Sequence, residues 1–377
     1  MKKSGVAKKI LFAFEIIILL VLIGGLFVYG KINSSLDKLN TTEIDENSVG
    51  INEDIVQSER LQGYTNIAIF GIDSRGEGSE LSAENSDVII IASINNDTKE
   101  VKLVSLYRDT LLDVGNDSYE KCNAAYAYGG AQQALTMLNT NLDLNIQDYV
   151  TVNFAAVTEV VDCLGGVDIE MTRDEVIHMN NYCEGTAAVT GKSYEPIEVP
   201  AEDITQTYHL DGTQATSYAR IRYGGGDDYK RTERQRTVIT KLVEKAKKAS
   251  LSQLTEIMDR VFPLIETSFQ KNEIFEMGAS MLSYNLGESM GFPKGFVPVT
   301  FETKGSCVVP VTLRNNVVEL HNFLFGTDTG YEPSETVLHR SEVIVSLSGY
   351  DETYFANSTD SADSTETDSS GTYSTEY

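Results

Sequence analysis

A short segment rich in arginine and glycine stands out in this acidic chain. Residues 219–236, ARIRYGGGDDYKRTERQR, carry six basic side chains around three consecutive glycines. Arg220 and Arg222 are two residues apart, so on a β-strand they would point to the same face. Guanidinium groups placed in this way bind phosphates or carboxylates through paired hydrogen bonds. The glycines let the backbone turn sharply before Asp228, which lies in the predicted loop.

A predicted helix follows that loop and extends the basic cluster. Arg231, Arg234 and Gln235 share one helix face, because they are spaced by three and four residues. The same face continues into Val238 and Leu242, so we expect its start to point into the protein. Arginines that converge at a helix N-terminus can hold a phosphate, since the helix dipole adds positive potential there. A structural network of ion pairs with neighbouring acids is the alternative.

Two aspartates flank the polar loop of GIDSRGEGSELSAENSDVII, residues 71–90. Asp73 and Arg75 follow an apolar strand, and Asp87 directly precedes the next strand. Two adjacent strands would bring both carboxylates to one edge of a sheet, where they could bind Mg²⁺ or Mn²⁺. The alternative is that both aspartates are ordinary turn residues.

A third polar set follows the next apolar strand, in VSLYRDT. Arg108 and Asp109 either form a local salt bridge or direct a guanidinium at a phosphate. Lys121 and Asn123 follow in KCNAAYAYGG and join the predicted anion-binding set. We expect this set to meet the arginines of residues 219–236 and a metal held by the two aspartates.

The composition limits the class of protein. The chain has 377 residues, of which 41% are hydrophobic, and its formal net charge is −26. Such a surface repels the phosphate backbone of nucleic acids, so we expect no nucleic-acid partner. The cysteines form no CxxC pair and the histidines no HExxH, which predicts no structural zinc site. The chain has four cysteines, which are either buried thiols or disulfide partners: Cys122, Cys163, Cys183 and Cys307.

The ends of the chain differ from its middle. Residues 1–9 include four lysines, and residues 10–30 form an apolar run long enough to cross a bilayer. The lysines predict a cytoplasmic N-terminus, with the rest of the chain outside the cell. A cleaved signal peptide is the alternative. We expect a polar stalk over residues 31–60, one domain over residues 61–350 and a disordered acidic tail over residues 351–377.

The middle of the chain alternates strands with helices. The β-branched runs TNIAIFGI, SDVIIIASIN and VKLVSLYRD predict strands. The segments AYAYGGAQQALTMLNTNL, AAVTEVVDCLGG and RTERQRTVITKLVEKAKKAS predict helices. This alternation favours an α/β fold, in which helices cover both faces of a sheet.

These motifs, in this order, resemble the LytR–CpsA–Psr (LCP) family of bacterial cell-envelope proteins. The resemblance is strong over residues 61–250, looser over 251–350, and runs through NIAIFGIDSR, NSDVIIIASIN, VKLVSLYRDT, KCNAAYAYGG, VVDCLGGVDIEM, HLDGTQATSYARIRYGGGDDYKRTERQR and YEPSETV. It implies a central mixed β-sheet flanked by helices, a hydrophobic pocket for a prenyl chain, and one transmembrane helix in front. Residues 150–167 and the helix from Val238 would line the pocket, although they also read as ordinary core.

The resemblance implies a Mg²⁺-dependent phosphotransferase anchored in the cell membrane. Such an enzyme moves a glycopolymer (teichoic acid, capsule or another secondary polysaccharide) from an undecaprenyl-pyrophosphate carrier to peptidoglycan through a phosphodiester bond. The alternatives are a non-catalytic envelope regulator that binds polyprenyl lipid and a lipid pyrophosphatase.

Residue by residue, the resemblance assigns Asp73 and Asp87 to the metal. It places two sets around the pyrophosphate, the arginines Arg75, Arg108, Arg220 and Arg222 and the loop-and-helix motif Asp228, Arg231, Arg234 and Gln235. The predicted catalytic residues are Arg108, Asp109, Arg220 and Arg222. A general base is also needed, and Asp109 or one of the metal-side aspartates could serve.

Overall fold

The computed structural model describes residues 30–45, 48–56, 58–73, 84–222, 227–327 and 330–354. Residues 30–36 are helical. The strands are β1 (Asn40–Thr41), β2 (Tyr64–Ile72), β3 (Ser86–Asn95), β4 (Glu100–Leu106), β5 (Leu111–Asp113), β6 (Tyr119–Lys121), β7 (Asp148–Asn153), β8 (Val167–Thr172), β9 (Thr205–Leu210), β10 (Ile265–Thr267), β11 (Asn285–Phe292), β12 (Phe296–Phe301) and β13 (Gly305–Pro310).

Helices of very different length connect these strands. They are α1 (Glu53–Val56), α2 (Glu59–Gln62), α3 (Ala124–Leu142), α4 (Phe154–Cys163), α5 (Arg173–Thr190), α6 (Gly212–Tyr218), α7 (Asp227–Ala246), α8 (Leu251–Val261), α9 (Lys271–Ala279), α10 (Leu313–Phe325) and α11 (Glu335–Ser348). Two short 3₁₀ turns cover Phe262–Leu264 and Met281–Ser283. The three helices predicted from sequence form as α3, α4 and α7.

The central sheet has seven strands in the order β1-β10-β7-β2-β3-β4-β11. The pairs β1–β10, β7–β2 and β4–β11 are parallel, and the other three are antiparallel. The predicted central mixed sheet is thus confirmed. Three separate two-stranded sheets, β5–β6, β8–β9 and β12–β13, lie outside it.

The two faces of the sheet differ in how completely they are packed. Side chains alternate along a strand, so Phe70 and Ile91 point to one face and Ile69 and Ile90 to the other. The first face joins a large core with α3, α10 and α11. The second face is covered by α4 and α7, which leave a cavity between themselves and the sheet.

The segment that carries Arg220 and Arg222 is not a β-strand, contrary to the sequence expectation. The Asp211 side chain accepts a hydrogen bond from the Gln214 N–H, and the Gln214 side chain accepts one from the Asp211 N–H. This capping box starts α6, so the residues just before Arg220 are helical. Residues 219–220 form a turn and residues 221–222 are irregular. Ile221 is fully buried between the two arginines, so the alternation of the sequence survives without a strand.

The predicted stalk over residues 31–60 instead packs on the domain. Leu36, Val49 and Ile55 are buried, and β1 pairs with β10 at the edge of the sheet. The segment reads as polar because its apolar residues are few and widely spaced, yet those residues reach the core. The domain therefore starts well before residue 61.

Several sequence predictions fall wholly or partly outside the described residues. They concern the apolar run up to residue 29, Arg75, and the acidic tail beyond Tyr354. Among the residues that the structure describes, none of the helices has the length and apolar character needed to cross a bilayer. All four cysteines are buried free thiols, which confirms the first of the two alternatives given for them, and none is in a disulfide.

Candidate active site

An irregularity in the pairing of β2 with β3 presents Asp87. Gly71 pairs with Val88 and Ile72 pairs with Ser86, so Asp87 is an additional residue on β3. A β-bulge of this kind redirects the side chain of the extra residue and is common beside active sites. Gly71 is required here, because a Cβ at this position would lie 2.7 Å from Val88 Cβ.

Three arginines converge on the carboxylate of Asp87. Arg108 Nη1 lies 2.5 Å from Asp87 Oδ1, and Arg231 Nη2 lies 3.2 Å from Asp87 Oδ2. Arg231 also donates to the Asp87 backbone carbonyl at 3.1 Å, while Arg222 Nη2 lies 4.0 Å from Oδ2. Burial works to raise the pKa of Asp87, but Arg231 and Arg108 outweigh burial and lower it below its ordinary value. Asp87 is therefore a carboxylate at neutral pH.

Asp109 lies beside this cluster and pairs with two cations. Its carboxylate is 3.1 Å from Lys121 Nζ and 4.0 Å from Arg108 Nε. The backbone of Asn123 ties the region together, because its N–H donates to Arg108 O and its carbonyl accepts from the Ser86 N–H. The structure thus brings Asp87, Arg108, Asp109 and Lys121 together at one sheet edge.

Arg220 reaches the same region from the turn after α6. Its guanidinium lies 4.4 Å from the centre of the Phe154 ring and 5.8 Å from that of Tyr182. Its Nη1 donates to Thr186 Oγ1 at 2.8 Å. Aromatic faces attract a guanidinium and hold it in place. These three supports, which lie on α4 and α5, carried no sign in the sequence that linked them to Arg220.

The three polar residues predicted to share one face of α7 have different surroundings. Arg231 and Gln235 are buried and line the cavity. Arg234 is buried too, but its Nε donates to Glu175 Oε1 at 2.9 Å and its Nη1 to Ile221 O at 3.2 Å. The structure therefore does not bring Arg234 to the cavity, and the ion-pair alternative describes it better. The side chain of Asp228 is outside the described part of the chain.

The cavity between the sheet, α4 and α7 has a volume of about 250 Å³. Arg220 and Arg231 lie at its rim, near the start of α4 and α7. The polar residues Asn153, Thr216 and Gln235 also line it. Apolar residues form most of the rest of its wall: Ile69, Ile72, Val88, Ile90, Val152, Phe154, Ala156, Val157, Val160, Val238, Ile239, Leu242 and Val261. The two segments that the sequence singled out, residues 150–167 and the helix from Val238, both contribute. The cavity thus has a charged end and an apolar end.

Asp73 and Asp87 are the two carboxylates that the sequence assigned to a divalent cation. Because β2 and β3 are antiparallel and Ile72 pairs with Ser86, Asp73, which follows β2, and Asp87, which is the second residue of β3, lie at the same end of the two strands. Asp73 Oδ1 is buried and has no hydrogen-bond partner among the described residues. The described part of the chain holds no cluster of three or more His, Cys, Asp or Glu. Mg²⁺ is commonly held by one or two carboxylates and takes its other ligands from water and phosphates, so the residue types suit it. Of the two carboxylates, Asp73 has this free buried oxygen within the described chain, whereas both oxygens of Asp87 contact arginines.

Comparison with known proteins identifies the chain. The sequence model of the LytR_cpsA_psr family matches residues 26–289. The chain belongs to the LytR_cpsA_psr family. Among similar family members is the polyisoprenyl-teichoic acid–peptidoglycan teichoic acid transferase TagU of Enterococcus faecalis, which is 31% identical over 278 residues, 73% of this chain and 82% of that protein. Biofilm regulatory protein A of Streptococcus mutans is 31% identical over 276 residues, 70% of this chain and 64% of that protein.

Solved structures share the fold of this LytR_cpsA_psr chain. One is described as TagT bound to LI-WTA, with a TM-score of 0.56 and 19% identity over 76% of this chain and all of that one. Another is the family protein YwtF (TagT) with bound octaprenyl pyrophosphate lipid, with a TM-score of 0.51 and 18% identity over 76% of this chain and all of that one. At these identities the likeness concerns the fold alone.

Proposed function

We propose that this protein is a membrane-anchored phosphotransferase that moves an anionic glycopolymer from a polyprenyl-pyrophosphate carrier to peptidoglycan. The observation that carries the proposal is a cluster of arginines at one end of a mostly apolar cavity. Such a site suits an amphiphile with a charged head and a hydrocarbon tail. The transferase name of the Enterococcus faecalis relative supports the same reaction.

The direction of the cavity suits a lipid pyrophosphate. Arg231 and Leu242 both line it and lie on α7. They are about 16 Å apart along the helix axis, at 1.5 Å per residue. The pyrophosphate would meet Arg108, Arg220 and Arg231 at the first end, and the prenyl chain would run toward Leu242. Guanidinium groups in a site shielded from water stabilise the charge that develops on transferring phosphoryl oxygens.

The proposed reaction is a substitution at phosphorus. The acceptor hydroxyl oxygen forms a bond to the phosphorus next to the glycan, and the bond from that phosphorus to the lipid phosphate breaks. The hydroxyl proton passes to a carboxylate, for which we propose Asp109, and the lipid phosphate leaves as an anion. Arg108, Arg220 and Arg222 offset its charge. A Mg²⁺ or Mn²⁺ ion at Asp73 and Asp87, when bound, would supply further positive charge to the phosphates.

The location proposed for the reaction rests on the N-terminal sequence. We propose that residues 10–30 anchor the protein in the cell membrane with residues 1–9 in the cytoplasm. The domain then lies outside the cell, where peptidoglycan and the polymer-loaded carrier are both present. This is the setting in which a single protein can join the two.

The test is a transfer assay with the full chain in lipid vesicles that contain Mg²⁺ and a glycan-loaded polyprenyl pyrophosphate. With peptidoglycan added, we expect a glycan–phosphate–peptidoglycan product and release of lipid monophosphate. Release of phosphate-terminated glycan with or without acceptor would instead show a lipid pyrophosphatase. Binding without any turnover would show a non-catalytic regulator, and either result would reject the transferase.

A matched pair of variants connects the assay to the site. Arg220→Ala should lower the transfer rate about 100-fold or more, because it removes a positive charge from the phosphate-binding end. Arg314→Ala removes an exposed arginine at the start of α10, remote from the cavity, and should leave the rate unchanged. Equal rates for the two variants would reject the assignment of the pyrophosphate to this cluster.

A further inference from the structure

The corner where α7 ends and α8 begins has an unusual surface for this chain. We define the α7–α8 corner by four residues: Lys245, Lys247, Lys248 and Leu251. Leu251 is 53% exposed, which is high for a leucine. Lys245 reaches the Gly165 carbonyl at 3.4 Å, Lys247 reaches the Tyr284 carbonyl, and Lys248 is exposed.

The charge of this corner opposes that of the whole protein. Residues 241–260 contain five basic and three acidic side chains, whereas the complete chain has a net charge of −26. Asp259 is paired with Lys31 and Lys38, Glu244 with Lys241, and Glu256 with Arg260, which also contacts Glu159. The basic residues that remain in this stretch are Lys245, Lys247 and Lys248, which belong to the corner. A locally positive surface with a projecting leucine attracts an anionic lipid surface, because headgroups meet the lysines while the leucine enters the interface.

The chain that leads to the N-terminus is fixed to the far end of α8, about 12 Å along the helix axis from Leu251. Ser35 Oγ donates to Asp259 Oδ1 at 2.7 Å, and Lys38 Nζ donates to the same oxygen at 2.9 Å. Lys31 also pairs with Asp259. The apolar run of the sequence ends at Gly30, one residue before Lys31. An anchor over residues 10–30 would therefore leave the bilayer next to the C-terminal end of α8, on the same helix as the corner.

The apolar end of the cavity approaches the corner along α7. Leu242, which lines the cavity, lies on α7 just before the corner. The end of α4 is there too, since Gln253 Nε2 donates to Cys163 O at 3.3 Å. The arginines lie at the opposite end of the cavity. A prenyl chain that extends beyond Leu242 would therefore leave the domain beside the corner.

We propose that the α7–α8 corner rests on the outer surface of an anionic bilayer. In this orientation the apolar end of the cavity faces the membrane, and the arginine end stands away from it. The prenyl chain of a bound carrier then points toward the bilayer and stays in contact with lipid. Its pyrophosphate lies at the other end of the cavity, beside the arginines. The contact with the bilayer is independent of catalysis, whereas the passage of the carrier rests on the function proposed above.

The test places a fluorophore at the corner of the full chain in vesicles. Leu251→Cys is labelled with an environment-sensitive dye, and the buried native thiols leave that cysteine as the accessible one in the described chain. The matched control is Leu347→Cys on α11, which is 47% exposed and lies against the opposite face of the sheet. We expect a blue shift and quenching by spin-labelled lipids at position 251, with neither effect at position 347.

A charge variant tests the anionic partner. Lys245→Gln combined with Lys248→Gln should reduce the quenching at position 251 at least two-fold in phosphatidylglycerol vesicles, whereas Lys294→Gln, at another exposed lysine, should not change it. A water-like signal at position 251, or quenching that ignores lipid charge, would overturn the proposal. Because the signal requires no turnover, failure of the transfer assay would leave this result standing, and the reverse also holds.

Discussion

Arg108 and Asp87 form a direct ion pair, with 2.5 Å between Nη1 and Oδ1. The sequence assigned the first residue to a phosphate and the second to a metal, so their contact joins the two predicted sites. Asp87 orients the guanidinium and offsets part of its charge. The pair is partly buried, with side-chain exposures of 21% and 23%, so water screens it only incompletely.

Loss of the Arg108 guanidinium should affect chemistry more than folding. Arg108→Ala is expected to lower the transfer rate about 100- to 1,000-fold, because a charge that stabilises the transition state is removed. Arg108→Lys should recover part of the rate, since it keeps the charge but loses the paired geometry. Transfer rates and thermal unfolding would be measured together. A rate for Arg108→Ala within three-fold of the parent would contradict this role.

Arg231 and Arg234 should behave in opposite ways although they are three residues apart. Arg234→Met leaves Glu175 without its guanidinium in a site where the arginine is 9% exposed, which should cost about 3 kcal/mol of unfolding free energy. Its transfer rate per folded molecule should stay within a few-fold of the parent. Arg231→Met should instead reduce the rate strongly, because Arg231 lines the cavity and contacts Asp87.

The control for Arg234 is a second change at its partner. Adding Glu175→Gln to Arg234→Met removes the uncompensated carboxylate and should restore part of the stability, measured by denaturant unfolding. The amide can still accept the backbone bond that caps α5. If Arg234→Met abolished transfer in a protein of normal stability, Arg234 would belong with the phosphate-binding residues after all.

A larger side chain at Ile239 should fill the cavity and weaken lipid binding while the domain stays folded. Ile239→Phe places a ring in a space of about 250 Å³, so it should weaken binding of a polyprenyl pyrophosphate at least ten-fold. Leu282→Phe, at a residue 70% exposed, serves as the control and should bind normally. Calorimetric titration gives both affinities. Undiminished binding by a folded Ile239→Phe variant would place the prenyl chain elsewhere.

His321 should make the stability of the domain depend on pH. Burial lowers its pKa to about 4, against 6.5 for an ordinary histidine. Its Nε2 bonds the Leu142 carbonyl at 2.9 Å and its ring stacks on Tyr331. Between these two pKa values the unfolded chain binds a proton that the folded chain excludes, so stability falls as pH falls. From pH 7 to pH 5 the loss should be about 2 kcal/mol.

Denaturant unfolding at the two pH values measures this effect. His321→Gln keeps a donor for Leu142 and should flatten the pH dependence by about that amount. His339→Gln, at an exposed histidine on α11, should leave the dependence of the parent protein in place. Parallel curves for the parent and His321→Gln would show that His321 is not responsible.

The sequence predicted the strands of the sheet because β2, β3 and β4 are continuous apolar runs, and such runs fold as buried strands. It also grouped Asp87, Arg108 and Arg231, since strand ends and a helix start meet at a sheet edge. It did not foresee the helix before Arg220, because two-residue alternation outweighed the capping signal at Asp211.

Other features were beyond the reach of pattern alone. A cavity and a filled core use the same residue types, so Val160 and Ile239 could be assigned to either. Whether space remains between helices depends on the distance at which α4 and α7 pack on the sheet. The aromatic support of Arg220 by Tyr182 also depends on packing between segments far apart in the chain.

The bulge at Asp87 separates the part of β3 that forms the sheet from the residue that contacts Arg108. On either side of Asp87 the pairing of β3 with β2 is regular, so the hydrophobic alternation of the strand does not depend on the extra residue. A descendant that lost this single residue would keep its sheet and its core, while the carboxylate that orients Arg108 would disappear. The strand pairing and the chemistry of this edge are therefore specified by different residues of the same strand.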